Sequence, residues 1–190
     1  WRGLEKLRPM IDEHDKVDAF AFWYLYDFDE YKQATVVHKK TQIVRNDGCV
    51  EWVGALHEDF KENRSLETKF VDGIDRMHFT TDERVIVAQQ RNVEVSKKDN
   101  ELHPNDPRTL WNLGNSYLGA GMTKEAQEVF EQFIKDSDSR DEKYIAHTRL
   151  ADVYKTMDNR DKAIEHLYIA IGMRPDTPDA FNQLGFFLGN

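Results

Sequence analysis

One cysteine, Cys49, is all that the 190 residues contain. That excludes a disulfide framework within the chain and fits a reducing, cytoplasmic setting. No apolar run approaches the length of a membrane span. No basic block exists either: residues 1–103 carry 16 basic and 21 acidic side chains, and residues 104–190 carry 10 and 14. With a net charge of −9 spread so evenly, phosphate neutralisation has no footing and nucleic acid is excluded as a partner. The chain opens on Trp1-Arg2-Gly3, with neither an initiator Met nor a signal peptide, as if cut from something longer. What is present is ordinary for a soluble globular protein: 39% hydrophobic and 32% charged residues, enough for one large domain or two small ones.

The first half turns on Arg45 to Phe60. Thr41 to Arg45 alternates polar and apolar residues as a half-buried strand does. Asn46-Asp47-Gly48 supplies residues that tolerate the positive φ of a tight turn, and Val50-Glu51-Trp52-Val53 resumes extended character. Gly54 then leads to three adjacent titratable side chains, His57, Glu58 and Asp59. On residue type alone such a step is commonly just a solvated loop end. The arrangement Arg45-Asn46, a turn, and Trp-x-Gly-x-Leu-His-Glu resembles the late motif of family 2 glycosyltransferases, over roughly Leu4 to Asn92.

Around that motif, Leu4, Leu7 and Ile11 predict a helix that Pro9 shortens or kinks. Val17 to Tyr26 reads as a central strand, apolar or amphipathic on both faces. Asp27-Phe28-Asp29 mimics the Asp-x-Asp metal motif of these transferases, whose hard oxygen ligands suit Mg²⁺ or Mn²⁺. It stands too close to His57 for the family's topology, so Asp27 and Asp29 are read as strand-end polar residues. Thr35 to His38 and Thr41 to Arg45 are expected as two short strands around Lys39-Lys40. Lys61 to Ser65 is expected as a charged loop, and Thr68 to Val71 with Ile74 to Phe79 as a hairpin at Asp72-Gly73. His78 sits where the family often has a histidine that closes its last strand. Thr81-Asp82-Glu83 starts a helix whose buried side is Val85, Ile86, Ala88, Val93 and Val95.

His103 to Pro107 forms a linker, and beyond it the sequence repeats. Leu113-Gly114-x-x-Tyr117, Ala126 and Phe130 are followed by Leu150-Ala151-x-x-Tyr154, Ala163, Leu167 and Ala170, and Leu184-Gly185-x-x-Leu188 begins a third copy. Leu150 to Leu184 is 34 residues; Gly114 to Ala151 is 37, the excess lying at Ser137-Asp138-Ser139. This alternation of small and large residues resembles the tetratricopeptide repeat, in which stacked helix pairs leave a concave groove for peptides or proteins. By that resemblance the groove is lined by Arg108, Trp111, Asn115 and Leu118, then Ile145, Thr148, Asp152 and Lys155, then Asp179, Asn182 and Phe186. Trp111 is expected to turn its indole into the groove, flanked by Asn115 and Asn182; the alternative packs it against the residues preceding the linker. Phe181, Phe186, Phe187 and Leu188 are very apolar for a capping helix and suggest truncation or burial against a partner.

The expectation is therefore an α+β chain. Residues 1–103 would be the C-terminal part of a GT-A-like α/β glycosyltransferase domain, and residues 104–190 an all-α solenoid of two full repeats and the first helix of a third. The resemblance implies sugar transfer from a nucleotide-sugar to an acceptor in the complete protein. Glu58 would be the base, Asp59 its understudy, His57 a metal or diphosphate contact and Trp52 a flank for the sugar. A divalent metal is expected only in the complete enzyme, and this chain alone is expected to be inactive. The alternative is a non-catalytic repeat scaffold that binds a protein partner.

Overall fold

A computed structural model describes residues 1–56, 59–78, 81–104 and 106–189, apart from the side chains of Asp59 and Asp82. The chain divides into two compact units, Trp1–Asp82 and Glu83–Asn190. The boundary expected at 103/104 falls between two helices of the second unit.

In the first unit a 3₁₀ turn, Leu4–Lys6, runs into α1 (Leu7–Glu13). Pro9 is the third residue of α1, in the first turn, where backbone N–H groups have no intrahelical acceptor; a proline there costs little. Strand β1 (Ala19–Phe28) lies between β2 (Ala34–Val44), antiparallel to it, and β5 (Thr68–His78), parallel to it. Ala19, Phe20, Ala21 and Phe22 are all buried, as the central position demands. Phe20, Phe22 and Ile74 form the core with Val17, and Leu7, Met10 and Ile11 of α1 pack onto it. Strands β3 (Val50–Val53) and β4 (Asp59–Glu62) form a separate antiparallel pair, with Trp52 opposite Phe60. The turn at Asn46-Asp47-Gly48, with Gly48 at φ 79°, thus joins strands of two different sheets.

Three local expectations are corrected. The pair of short strands is one eleven-residue strand, β2, passing straight through Lys39-Lys40. Its charges do not break it because the Lys39 stem covers aromatic surface, the ammonium 4.5 Å from the Phe70 ring centroid. The hairpin at Asp72-Gly73 is instead an irregularity inside β5. Register against β1 jumps from Ala21↔Phe70 to Trp23↔Asp75, and Gly73 at φ 77° absorbs the extra residues. Pairing with β1 on both sides of the step outweighs local turn chemistry. Lys61 and Glu62 belong to β4 and not to a loop.

The second unit is helical: α2 (Asp82–Leu102), α3 (Pro107–Gly119), α4 (Thr123–Asp136), α5 (Arg140–Thr156), α6 (Arg160–Met173) and α7 (Pro178–Leu188). Asp106 caps α3 by accepting from the Arg108 amide, with Pro107 at the first helical position. Ser139 and Asn159 cap α5 and α6 in the same way. Consecutive helices pack as antiparallel hairpins around Leu113, Phe130, Leu150, Val153 and Leu167. Gly114 is small for a reason: a Cβ there would sit 2.7 Å from Cε1 of Phe130. Helix α2 packs on α3 through Val93 and a 2.9 Å hydroxyl contact between Ser96 and Ser116. Ile86, expected on its buried side, is exposed, because the contacts of α2 gather in its second half.

Candidate peptide-binding groove

The first helices of the three copies, α3, α5 and α7, are neighbours along one face. The Arg149 guanidinium of α5 lies 5.8 Å from the Trp111 ring centroid of α3. The Lys155 ammonium, further along α5, lies 4.2 Å from the Phe186 ring centroid of α7. Both are cation–π contacts, and together they bring side chains of all three helices to one surface.

Along this face the expected residues behave differently. Trp111 is half-buried, its ring 5.7 Å from Phe130 and 5.8 Å from Phe133 on α4. Its indole therefore packs on the helix behind it and offers only its Arg149-covered side; the fully turned-out indole expected from the sequence is corrected. The large Phe130 and Phe133 rings draw it inward, since burying aromatic area outweighs the consensus direction. Asn115 donates its side-chain amide to the Trp111 carbonyl at 2.8 Å, which leaves its Oδ1 to accept from a ligand. Asp152 pairs with Arg149 at 3.1 Å. Thr148 is buried and donates to the Ile145 carbonyl, so it does not line the face. Asn182 is exposed. Phe186, 54% exposed, forms with Lys155, Asp158, Arg160 and Phe187 a recess of about 240 Å³. Arg160 is fixed there by donating to the Phe187 carbonyl.

Of the catalytic residues expected in the first unit, most lie beyond what the structure describes. His57 and Glu58 lie outside the described residues, and of Asp59 only the backbone is described, paired with Val53. Trp52 is 59% exposed and meets Phe60 edge-on at 5.8 Å. Asp29 accepts from the amides of Tyr31 and Gln33, a turn-forming role consistent with a strand-end residue. His78 contacts the Tyr24 hydroxyl at 2.6 Å. A cleft of about 360 Å³ between α1 and the sheet is lined by Ile11, His14, Asp18, Ile43 and Arg45, none of them a predicted site residue. Among the described residues no group of three or more His, Cys, Asp or Glu is placed to hold a metal ion. Nor is any helix among them long and apolar enough to cross a membrane.

Two polar centres escape the sequence reading. Asp18 accepts from both terminal nitrogens of Arg64, at 2.7 and 2.8 Å, and from the Glu67 amide at 3.0 Å. These hydrogen bonds, led by Arg64, hold its carboxyl well below the usual carboxylate range. The second is a pair of histidines, His147 and His166, between α5 and α6, with Nδ1 atoms 2.8 Å apart. Neither centre has a local signature, since each joins residues distant in the chain.

Comparison with known proteins bears on the second unit. Tetratricopeptide repeat family models match residues 108–139 and 144–177. No curated protein matches the chain. Solved structures that resemble it include MamA MSR-1 C2, 17% identical over 54% of this chain and 57% of that one, with a TM-score of 0.44. A mutant O-GlcNAc transferase from Thermobaculum terrenum is 18% identical over 58% of this chain and 23% of that one, with a TM-score of 0.45. A crystal structure of MamA is 21% identical over 59% of this chain and 85% of that one, with a TM-score of 0.30. The matched stretch thus spans little over half of the first chain and less than a quarter of the second, and at these scores the likenesses lend nothing to the reading of function. On the family models and the helix pairing together, the chain carries two tetratricopeptide repeats, in residues 108–139 and 144–177.

Proposed function

We propose that residues 83–190 are a scaffold that holds an extended peptide segment of a protein partner across α3, α5 and α7. The observation that carries this reading is the alignment of Trp111–Arg149 and Lys155–Phe186 across the three first helices, beside the exposed Asn182. Lys155 and Arg160 around the Phe186 recess suit an acidic side chain next to an apolar one, while Asn115 and Asn182 suit the peptide backbone. Selection from a displayed library of random peptides should enrich sequences that pair an acidic with an apolar residue. Phe186→Ala should weaken the selected peptides by roughly 10- to 30-fold, as an aromatic anchor does, without disturbing the fold, because the ring is exposed. Lys155→Glu should remove the acidic preference and its salt dependence. No enrichment, or full affinity in both variants, would end the proposal.

For residues 1–82 we propose part of a family 2-type glycosyltransferase in the complete protein, with a nucleotide-sugar, an acceptor and a divalent metal. It is supported by the run from Trp52 to Glu58 and by the exposure of Trp52 on a short strand pair. Glu58 would take the acceptor proton, with Asp59 second to it, while His57 and Trp52 face the donor. In the complete protein Glu58→Gln should lower turnover by roughly 10²–10⁴ with donor binding intact. Unchanged turnover in that variant would move the role to Asp59 or out of this stretch.

A further inference from the structure

The two full repeats differ where their paired helices meet. Leu110 occupies this position on α3, and His147 occupies the corresponding one on α5, answered across the contact by His166 of α6. The two rings lie 5.1 Å apart between centroids, tilted by 31°, and Tyr154 stacks on His166 at 5.3 Å and 16°. His147 is 8% exposed. At an Nδ1–Nδ1 separation of 2.8 Å one ring donates a proton and the other accepts it, so the neutral pair is satisfied. With both rings in the imidazolium form, two N–H groups would face one another and two positive rings would be in contact inside the repeat. The charged groups around the pair are Lys143 on α5, Lys162 and Glu165 on α6, and Glu131 on α4.

We propose that this histidine pair is a proton-sensitive latch between α5 and α6, closed at neutral pH and loosened by mild acid. It rests on the contact between the helices and is independent of what the groove binds. Burial, then His166 and Lys143, hold the His147 pKa down at about 4, against an ordinary 6.5. Burial lowers that of His166 as well, opposed by Glu165 and Glu131. The unfolded chain therefore takes up protons before the folded one. Stability is intact above the ordinary histidine value and declines as pH falls through it toward the folded value. Between pH 7.5 and 5 the His147 shift alone lowers the folded-to-unfolded ratio about 30-fold, in a range where ordinary carboxylates stay ionised.

The test is urea unfolding of the full chain at pH 7.5 and 5, with hydrogen exchange read at α5 and α6, alongside the variant His147→Leu/His166→Leu. The wild type should lose protection in α5 and α6 at pH 5, and the variant should lose roughly 30-fold less of its folding equilibrium constant over the same interval. Equal acid sensitivity of the two proteins overturns the latch. Should the variant not fold, imidazole titration of the wild type by NMR decides. His147 still neutral at pH 5 supports the proposal, and a titration near the ordinary value overturns it.

Discussion

Phe130→Ala should destabilise the second unit by about 3–5 kcal/mol, a large share of the total stability of such a domain. The ring is 0% exposed and sits between α3 and α4, against Gly114 on one side and Trp111 on another. Alanine would leave a cavity that its neighbours cannot fill. Gly114 has no side chain to move in, and Trp111 is held from outside by Arg149. Phe130→Leu should cost distinctly less, since most of the volume remains. Urea denaturation followed by circular dichroism measures both. A cost below about 1 kcal/mol for the alanine variant would mean that the ring is not the packing centre of the first repeat.

Phe22→Ala should have a comparable effect on the first unit, about 3–5 kcal/mol by the same cavity argument. Here the core is small: Phe22 shares it with Val17, Phe20 and Ile74, under the partial cover of α1. Trp1 meets the Phe22 ring edge-on at 5.6 Å, so truncation also removes the platform on which the indole rests. A core with so few fully buried side chains has little reserve, because smaller domains bury a smaller fraction of their surface. Hydrogen exchange localises the outcome: amides of β1, β2 and β5 should lose protection together, since the three strands form one sheet. Loss confined to β2 would show that β1 and β5 hold together without the ring.

The repeats were legible in the sequence because their requirement is local and periodic. A small residue at Gly114 or Ala151 and a large one at Phe130 or Leu167 recur wherever one helix must lie close to the next, and the 34-residue spacing records that contact directly. The start of α3 was legible for the same reason, as Pro107 acts on the helix that it begins, while its Asp106 cap went unread. So was the role of Asp29, whose two acceptor contacts lie within four residues of it.

For the residues expected to line a groove, the direction of the side chain was not legible. Trp111 stands where the repeat places a groove residue, yet Phe130 and Phe133 draw it back, and neither is near it in the chain. The continuity of β2 and the irregularity in β5 are likewise products of pairing with β1, which repays a lysine pair and an Asp-Gly step that would elsewhere end a strand. The Asp18 centre and the His147–His166 pair depend wholly on tertiary approach, across 46 and 19 residues of chain respectively. The sequence by itself determined which helices form, where they begin and how often they repeat, since hydrogen bonds and steric limits within a few residues decide those. Only the tertiary structure decided which polar and aromatic side chains meet, because their partners are supplied by packing, on which local spacing has no hold.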